Sequence, residues 1–157
     1  MHVLIADDDP VYRSFLDDLL EQWKFDVTVA YDGQEAWEAI QGNEDIRLVI
    51  LDWVMPRMDG PDLCRKLKDD LGRAVYTILV TGSRLKEDVI RVLVSGADDY
   101  IAKPFDAIDL KIHVRTAMRV INLETEVSEL RRSLEGQGRS ARTVPSVSAV
   151  QPVEQSR

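Results

Sequence analysis

Four groups of complementary chemistry each follow a short apolar run. Asp7, Asp8 and Asp9 follow Val3-Leu4-Ile5-Ala6, and Asp52 follows Leu48-Val49-Ile50-Leu51. Thr81 follows Ile78-Leu79-Val80, and Lys103 follows Tyr100-Ile101-Ala102. A polar residue that closes a run of aliphatic side chains stands at the mouth of a buried strand. Singly, each has a plain explanation: acids near a helix start, a β-branched residue ending a strand, a surface lysine beside a turn. Together they put carboxylates, a hydroxyl and an ammonium on one rim.

Three carboxylates at one rim raise each other's pKa values unless a cation joins them. A hard divalent ion fits that need. Magnesium keeps several waters and takes one or two carboxylates plus phosphate oxygens, and manganese is the alternative. Asp9 reads differently: it precedes Pro10 and looks like an N-cap with proline at the first helical position. Asp7 and Asp8 are therefore the better ligand candidates. With a metal beside it, a carboxylate such as Asp52 can attack phosphorus and form an acyl phosphate. The charge that builds on the phosphoryl oxygens is then met by the metal, by Lys103 and by a hydrogen bond from Thr81.

The elements that must position these groups show in the apolar pattern. Runs at about 2–6, 25–30, 47–51, 75–80 and 98–102 read as strands. Between them lie stretches of helical period, with Val11, Phe15, Leu19 and Leu20 as one stripe and Val89, Ile90, Leu93 and Val94 as another. Asp32 with Glu35 three residues on makes a capping-box-like start, and Gly96 stands where the fourth helix should stop. Strands alternating with helices predict an α/β fold, a doubly wound parallel sheet covered on both faces. The runs at 3–6 and 48–51 are continuously apolar, as central strands are, whereas Phe25-Asp26-Val27-Thr28-Val29 alternates like an edge strand. Such a sheet binds ligands at the carboxyl ends of its strands, where all four site groups stand.

At 157 residues the chain has room for one domain with an appendage. Residues 1–119 carry 15 Lys+Arg against 23 Asp+Glu, a net −8, and residues 120–157 carry 5 of each. No basic face is visible, so direct nucleic-acid binding is not expected. No apolar run nears the ~20 residues of a membrane span. Met1-His2-Val3 leads straight into the first strand, leaving no signal peptide, and one cysteine, Cys64 in a helical pattern, suits a reducing cytoplasm and a structural thiol. After about residue 119 the pattern changes. Val120, Leu123, Val127, Leu130 and Leu134 are spaced 3-4-3-4 among charged residues. Over 120–136 this reads either as a last helix overrunning its domain or as a short coiled coil joining two copies through 120–135. Residues 137–157 are polar and small, as expected of a disordered tail or linker.

Val-Leu-Ile-Ala-Asp-Asp-Asp-Pro at 3–10, Leu-Val-Ile-Leu-Asp-Trp-Val-Met-Pro-Arg-Met-Asp-Gly at 48–60, Leu-Val-Thr-Gly at 79–82 and Gly-Ala-Asp-Asp-Tyr-Ile-Ala-Lys-Pro-Phe at 96–105 resemble the receiver domain of two-component response regulators. The resemblance runs over about residues 1–120, in order and at family-like spacing. It implies the flavodoxin-like strand order 2-1-3-4-5, with Asp52 as phosphoacceptor and a histidine kinase or phosphotransfer protein as donor. It also implies Asp8 as the direct magnesium ligand, Asp7 as an acid acting through water, and the Val54 backbone carbonyl as a further ligand. Thr81 and Lys103 would contact the phosphoryl group, Tyr100 would be the aromatic whose rotamer follows Thr81, and the Lys103-Pro104 bond would be cis. The face of the fourth helix, last strand and last helix would then be remodelled to control a downstream protein or an output domain.

Three other readings fit less well. A flavodoxin-type FMN site needs a hydroxyl- and glycine-rich loop after the first strand, where this chain has acids. A haloacid-dehalogenase-like phosphatase has an acid two residues after its nucleophile, where Val54 stands here. A P-loop enzyme needs Gly-x-x-x-x-Gly-Lys, which is missing. Trp53 reads as a packing or rim aromatic. With aliphatic Val54 and short, uncharged Ser83 beside the acceptor, neither side chain orients a hydrolytic water strongly, so the acyl phosphate is expected to persist. Replacing Val54 by Asn should shorten its lifetime in a phosphate-release assay; rapid loss from the wild type, unchanged by V54N, would contradict this.

Overall fold

The computed structural model describes residues 1–82 and 86–140, with the backbone alone for Lys86 and Ser140. The chain divides into two compact units, Met1–Ile121 and a second that begins at Asn122. Elements alternate in the order β1 (His2–Ala6), α1 (Pro10–Gln22), β2 (Asp26–Ala30), α2 (Gly33–Gly42), β3 (Ile46–Asp52), α3 (Gly60–Asp70), β4 (Tyr76–Thr81), α4 (Lys86–Ser95), β5 (Asp99–Ala102) and α5 (Ala107–Ser140). The strands form one parallel sheet in the order β2-β1-β3-β4-β5. This is the expected doubly wound architecture, with the alternating strand β2 at an edge.

The two-residue period of each central strand sends its side chains to opposite faces. Leu4, Val49, Leu51 and Leu79 join Trp37, Ile40, Leu63 and Leu67 of α2 and α3 in one apolar layer. Val3, Ile5, Leu48, Ile50, Ile78 and Val80 join Leu16 and Leu20 of α1 and Leu110, Val114, Ala117 and Ile121 of α5 in the other. Burial on both faces is why these runs read as continuously apolar. Cys64 lies inside the first layer, and burial pushes its thiol up to about 12, so it is inert structural packing.

Punctuation follows the sequence. Asp9 caps α1 by accepting from the Val11 N–H at 2.9 Å, with Pro10 opening the helix. Asp32 caps α2 by accepting from the Glu35 N–H at 2.9 Å, and the Glu35 carboxylate accepts from the Tyr31 N–H rather than the cap's own. Gly96 follows α4 at φ +81°, a left-handed conformation that costs glycine little. The carbonyls left over at the end of α2 find a cation that the sequence did not flag. Arg73 donates to the Ile40, Asn43 and Ile46 carbonyl oxygens at 2.8, 2.9 and 2.7 Å, tying that helix end to β3.

One helix face and the start of another differ from expectation. In α1 Leu20 is buried beside Leu16 and Leu19 packs on the same layer, as the stripe predicts, but Val11 is exposed. In α4 Val92 and Ser95 are buried, and Ile90, Leu93 and Val94 face outward. A helix with more apolar residues than its core contact needs shows its period but not which face turns inward. The last helix also runs further than expected, through Gly136 and Gly138 to Ser140. Each glycine costs about 1 kcal/mol in a helix but does not forbid it. Residues 141–157 of the expected tail, and Ser83, lie outside the described residues. Among the described residues, no helix is long and apolar enough to cross a membrane.

Gly60 sets the loop after β3. A Cβ there would lie 2.5 Å from the Asp52 carbonyl oxygen and 2.7 Å from Leu79 Cδ2. Gly60→Ala should therefore lower stability by about 2 kcal/mol through overpacking, read as a lower urea midpoint. An unchanged midpoint would mean that this loop yields freely.

Candidate functional site

Strand register builds the site. β1 and β3 pair Ala6 with Leu51, so Asp7 and Asp52 come next on adjacent strands. β3 and β4 pair Asp52 with Val80, and β4 and β5 pair Thr81 with Ala102. Acid, acid, hydroxyl and ammonium thus end four neighbouring strands at one rim. The Lys103 N–H donates to the Thr81 carbonyl at 2.7 Å, locking β5 to β4 at the site itself. The Lys103-Pro104 bond is cis.

The lysine sits between the acids. Lys103 Nζ lies 3.2 Å from Asp7 Oδ2 and 3.3 Å from Asp52 Oδ1, and 4.0 Å from the centre of the Tyr12 ring. Asp7 is only 1% exposed. Its other oxygen accepts from the Asp9 N–H at 2.8 Å, and its carbonyl accepts from Arg13 at 2.9 Å. Asp52 Oδ1 also accepts from the Trp53 N–H at 3.0 Å. Burial works to lower Lys103, but the carboxylates of Asp52 and Asp7 outweigh it and hold the ammonium above its ordinary range.

Asp8, by contrast, is exposed. Asp7, Asp8 and Asp52 each present a carboxylate oxygen, all within 4.8 Å of one another. An all-oxygen donor set with no thiolate or imidazole matches a hard cation of the magnesium type. Charge balance points the same way, since Lys103 is paired with Asp7 and Asp52 and, among the described residues, Asp8 is in no ion pair. Val54 carries an exposed side chain in the loop that follows. That loop is pinned by the Gly60 N–H on the Trp53 carbonyl at 2.9 Å and by an Arg57–Asp32 ion pair at 2.8 Å. Trp53 is buried with the Arg91 guanidinium 5.2 Å from its ring centre, as suits a packing aromatic.

The other two named residues are placed differently. Thr81 is buried at the end of β4. Tyr100 pairs with Leu79, two residues back from the rim, and is 38% exposed. It lines a concavity of about 380 Å³ with Asp99, Ala102, Phe105, Asp109 and His113, a lining that includes none of Asp7, Asp8 and Asp52. Sequence reasoning missed Tyr12 and Arg13, which touch Lys103 and Asp7 from the first turn of α1. Their one signal was position, three and four residues after the N-cap Asp9, on the turn nearest the rim.

An open 2-1-3-4-5 sheet with acids and a lysine on its carboxyl rim defines a receiver fold. The response regulator receiver domain family matches residues 3–115, and the chain belongs to that family, the phosphorylation-dependent switches of two-component systems. It is 41% identical over 135 residues to the aerobic respiration control protein ArcA of Escherichia coli, covering 85% of this chain and 55% of that protein. It is 36% identical over 107 residues to the chemotaxis protein CheY1 of Helicobacter pylori, covering 67% of this chain and 86% of that one. The solved receiver domain of Francisella response regulator 1452 superposes with a TM-score of 0.70 at 35% identity, over 76% of this chain and 98% of that one. The chain spans about half the length of ArcA.

Asp52 is raised from its ordinary 3.8 to about 6, first by burial and then by the charge of Asp7, with Lys103 and the Trp53 N–H opposing. A raised carboxyl favours the protonated fold, so stability is full below about pH 4 and is lost as pH rises through about 6. Asp52→Asn has no charge to bury. Without divalent metal it should exceed the wild type by about 2 kcal/mol at pH 7, with the gap closing toward pH 4. Urea unfolding in a chelator across that range checks this, and a gap independent of pH would contradict it.

Proposed function

We propose that Asp52 accepts a phosphoryl group from a histidine kinase or a histidine phosphotransfer protein in the cytoplasm, and that the chain catalyses this transfer and the later hydrolysis itself. The observation that carries the reading is the shared lysine, 3.2 and 3.3 Å from Asp7 and Asp52 at the mouth of the sheet. An Asp52 oxygen forms the new bond to phosphorus as the donor's phosphorus–nitrogen bond breaks and the imidazole departs with a proton from solvent. Lys103 then turns from Asp52 to a phosphoryl oxygen, and the Thr81 hydroxyl donates to another. Asp7 has both oxygens engaged and Asp8 is exposed. This supports Asp8 and Asp52 as direct metal ligands, Asp7 as a ligand through water, and the Val54 carbonyl as a fourth contributor. Magnesium, or manganese in its place, would supply neutralisation of the transferring oxygens.

The readout lies on the far side of Thr81. As Thr81 moves toward phosphate, Tyr100 turns inward from its partly exposed position, and the face of α4, β5 and α5 changes shape. That face already presents Ile90, Leu93, Val94, Ile108 and Ile112 to solvent, more apolar surface than a helix with no partner needs. Phosphate contacts bias two existing states rather than create one. The state selected controls a downstream protein, or an output domain coupled through the helix at 120–135, the element through which two copies would also associate.

Incubation with a small phosphodonor and magnesium, followed by intact mass, tests the chemistry. One phosphoryl group should be gained by the wild type, none by Asp52→Asn or in chelator, and far less by Lys103→Ala. A gain that persists in Asp52→Asn moves the acceptor elsewhere.

A further inference from the structure

Helix α5 carries two apolar stripes in succession. Leu110, Val114, Ala117 and Ile121 are buried in the core of the first unit. Continued at the same spacing, that stripe becomes Glu124, Ser128 and Arg131, so its apolar face ends there. At 100° per residue, Val120, Leu123, Val127, Leu130 and Leu134 lie roughly a third of a turn round the helix from it. The last four of these are 52%, 48%, 62% and 68% exposed. A straight line of half-exposed leucines and valine on one helix is a face that lacks its partner.

The charges beside the seam identify that partner. In heptad terms Val120 and Val127 occupy a and Leu123 and Leu130 occupy d, the pairing that favours two parallel strands, with Leu134 at the next a. Arg119 and Glu126 then stand at g, and Glu124 and Arg131 at e. In a parallel, in-register pair each g residue faces the e residue five positions on in the other helix. Arg119 meets Glu124 there and Glu126 meets Arg131, so both steps join opposite charges although the sign reverses between them. Residues five apart on one helix do not face each other. Among the described residues none of these four charges is in an ion pair. An antiparallel pair would join Glu124 to Arg131 but leave Arg119 and Glu126 without opposite charges.

We infer that the occupant of the seam is a second copy of this chain, joined as a parallel, in-register two-stranded coiled coil from Val120 to Leu134. This fixes the polarity and register of the proposed homodimer and is independent of the chemistry at Asp52.

Cysteine cross-linking of the full chain tests the polarity, with buried Cys64 staying out of reach. Leu123→Cys and Leu134→Cys should each form disulfide dimers with themselves on mild oxidation. Cross-linking only when the two variants are mixed would mean an antiparallel pair and overturn the inference, as would a monomer by sedimentation at the highest concentration reached. Glu126→Arg and Arg131→Glu should each raise the dimer dissociation constant on the order of tenfold, and the double exchange should restore it. Failure of the double variant to recover overturns the register. Phosphodonor labelling of the same samples, read by intact mass, reports on Asp52 separately.

Discussion

One ammonium shared between two carboxylates organises this molecule. Lys103 comes from the last strand, Asp7 from the first and Asp52 from the third, so the contact at 3.2 and 3.3 Å closes the rim across most of the sheet. Its energetics are deliberately incomplete. Asp7 is fully buried and has found its partners, whereas Asp52 is pushed up to about 6 by burial and by Asp7. A buried pair whose desolvation is only partly repaid contributes little to stability. What it provides instead is a carboxylate whose charge is favourable only when further positive charge arrives.

The rest of the fold holds those three side chains in place. Parallel pairing leaves little freedom of register, because a slip by one residue would exchange the two apolar layers. With Ala6 beside Leu51 and Asp52 beside Val80, the site groups can only fall at consecutive strand ends. Arg73 at the opposite end of β3 and the close approach of Gly60 to Asp52 fix the strand along its length. Precision at the rim is thus inherited from backbone pairing, with the side chains adding chemistry to positions already set.

That inheritance explains what could be read in advance. The strands and the rim groups were legible because continuous apolar runs have one physical use in a small domain, burial on both faces, and the residue after such a run has one place to be; the strand order came from the family resemblance. The orientation of α4 was not, nor was the exposure of Val11 at the start of α1. Val11, Ile90, Leu93 and Val94 have the periodicity of a core face, yet they are exposed. A surface kept apolar for recognition carries the same pattern as one kept apolar for packing. Tyr12 and Arg13 were missed for another reason: their contacts cross from α1 to β5 or fold back on Asp7, and no local pattern encodes a contact between distant segments.

The same distinction separates the two stripes of α5. Both are apolar and both have helical spacing, but Leu110, Val114, Ala117 and Ile121 are packed in the core, and Leu123, Val127, Leu130 and Leu134 are about half-exposed or more among the described residues. Hydrophobicity alone cannot say which partner an apolar stripe is for, since it is non-directional. Charge can, because it has sign and position. The order Arg119, Glu124, Glu126, Arg131 matches opposite charges at both steps against a parallel, in-register copy of itself. The rim and the seam therefore obey one rule: apolar residues decide that two surfaces meet, and a few charges at the boundary decide which surfaces, and in what register.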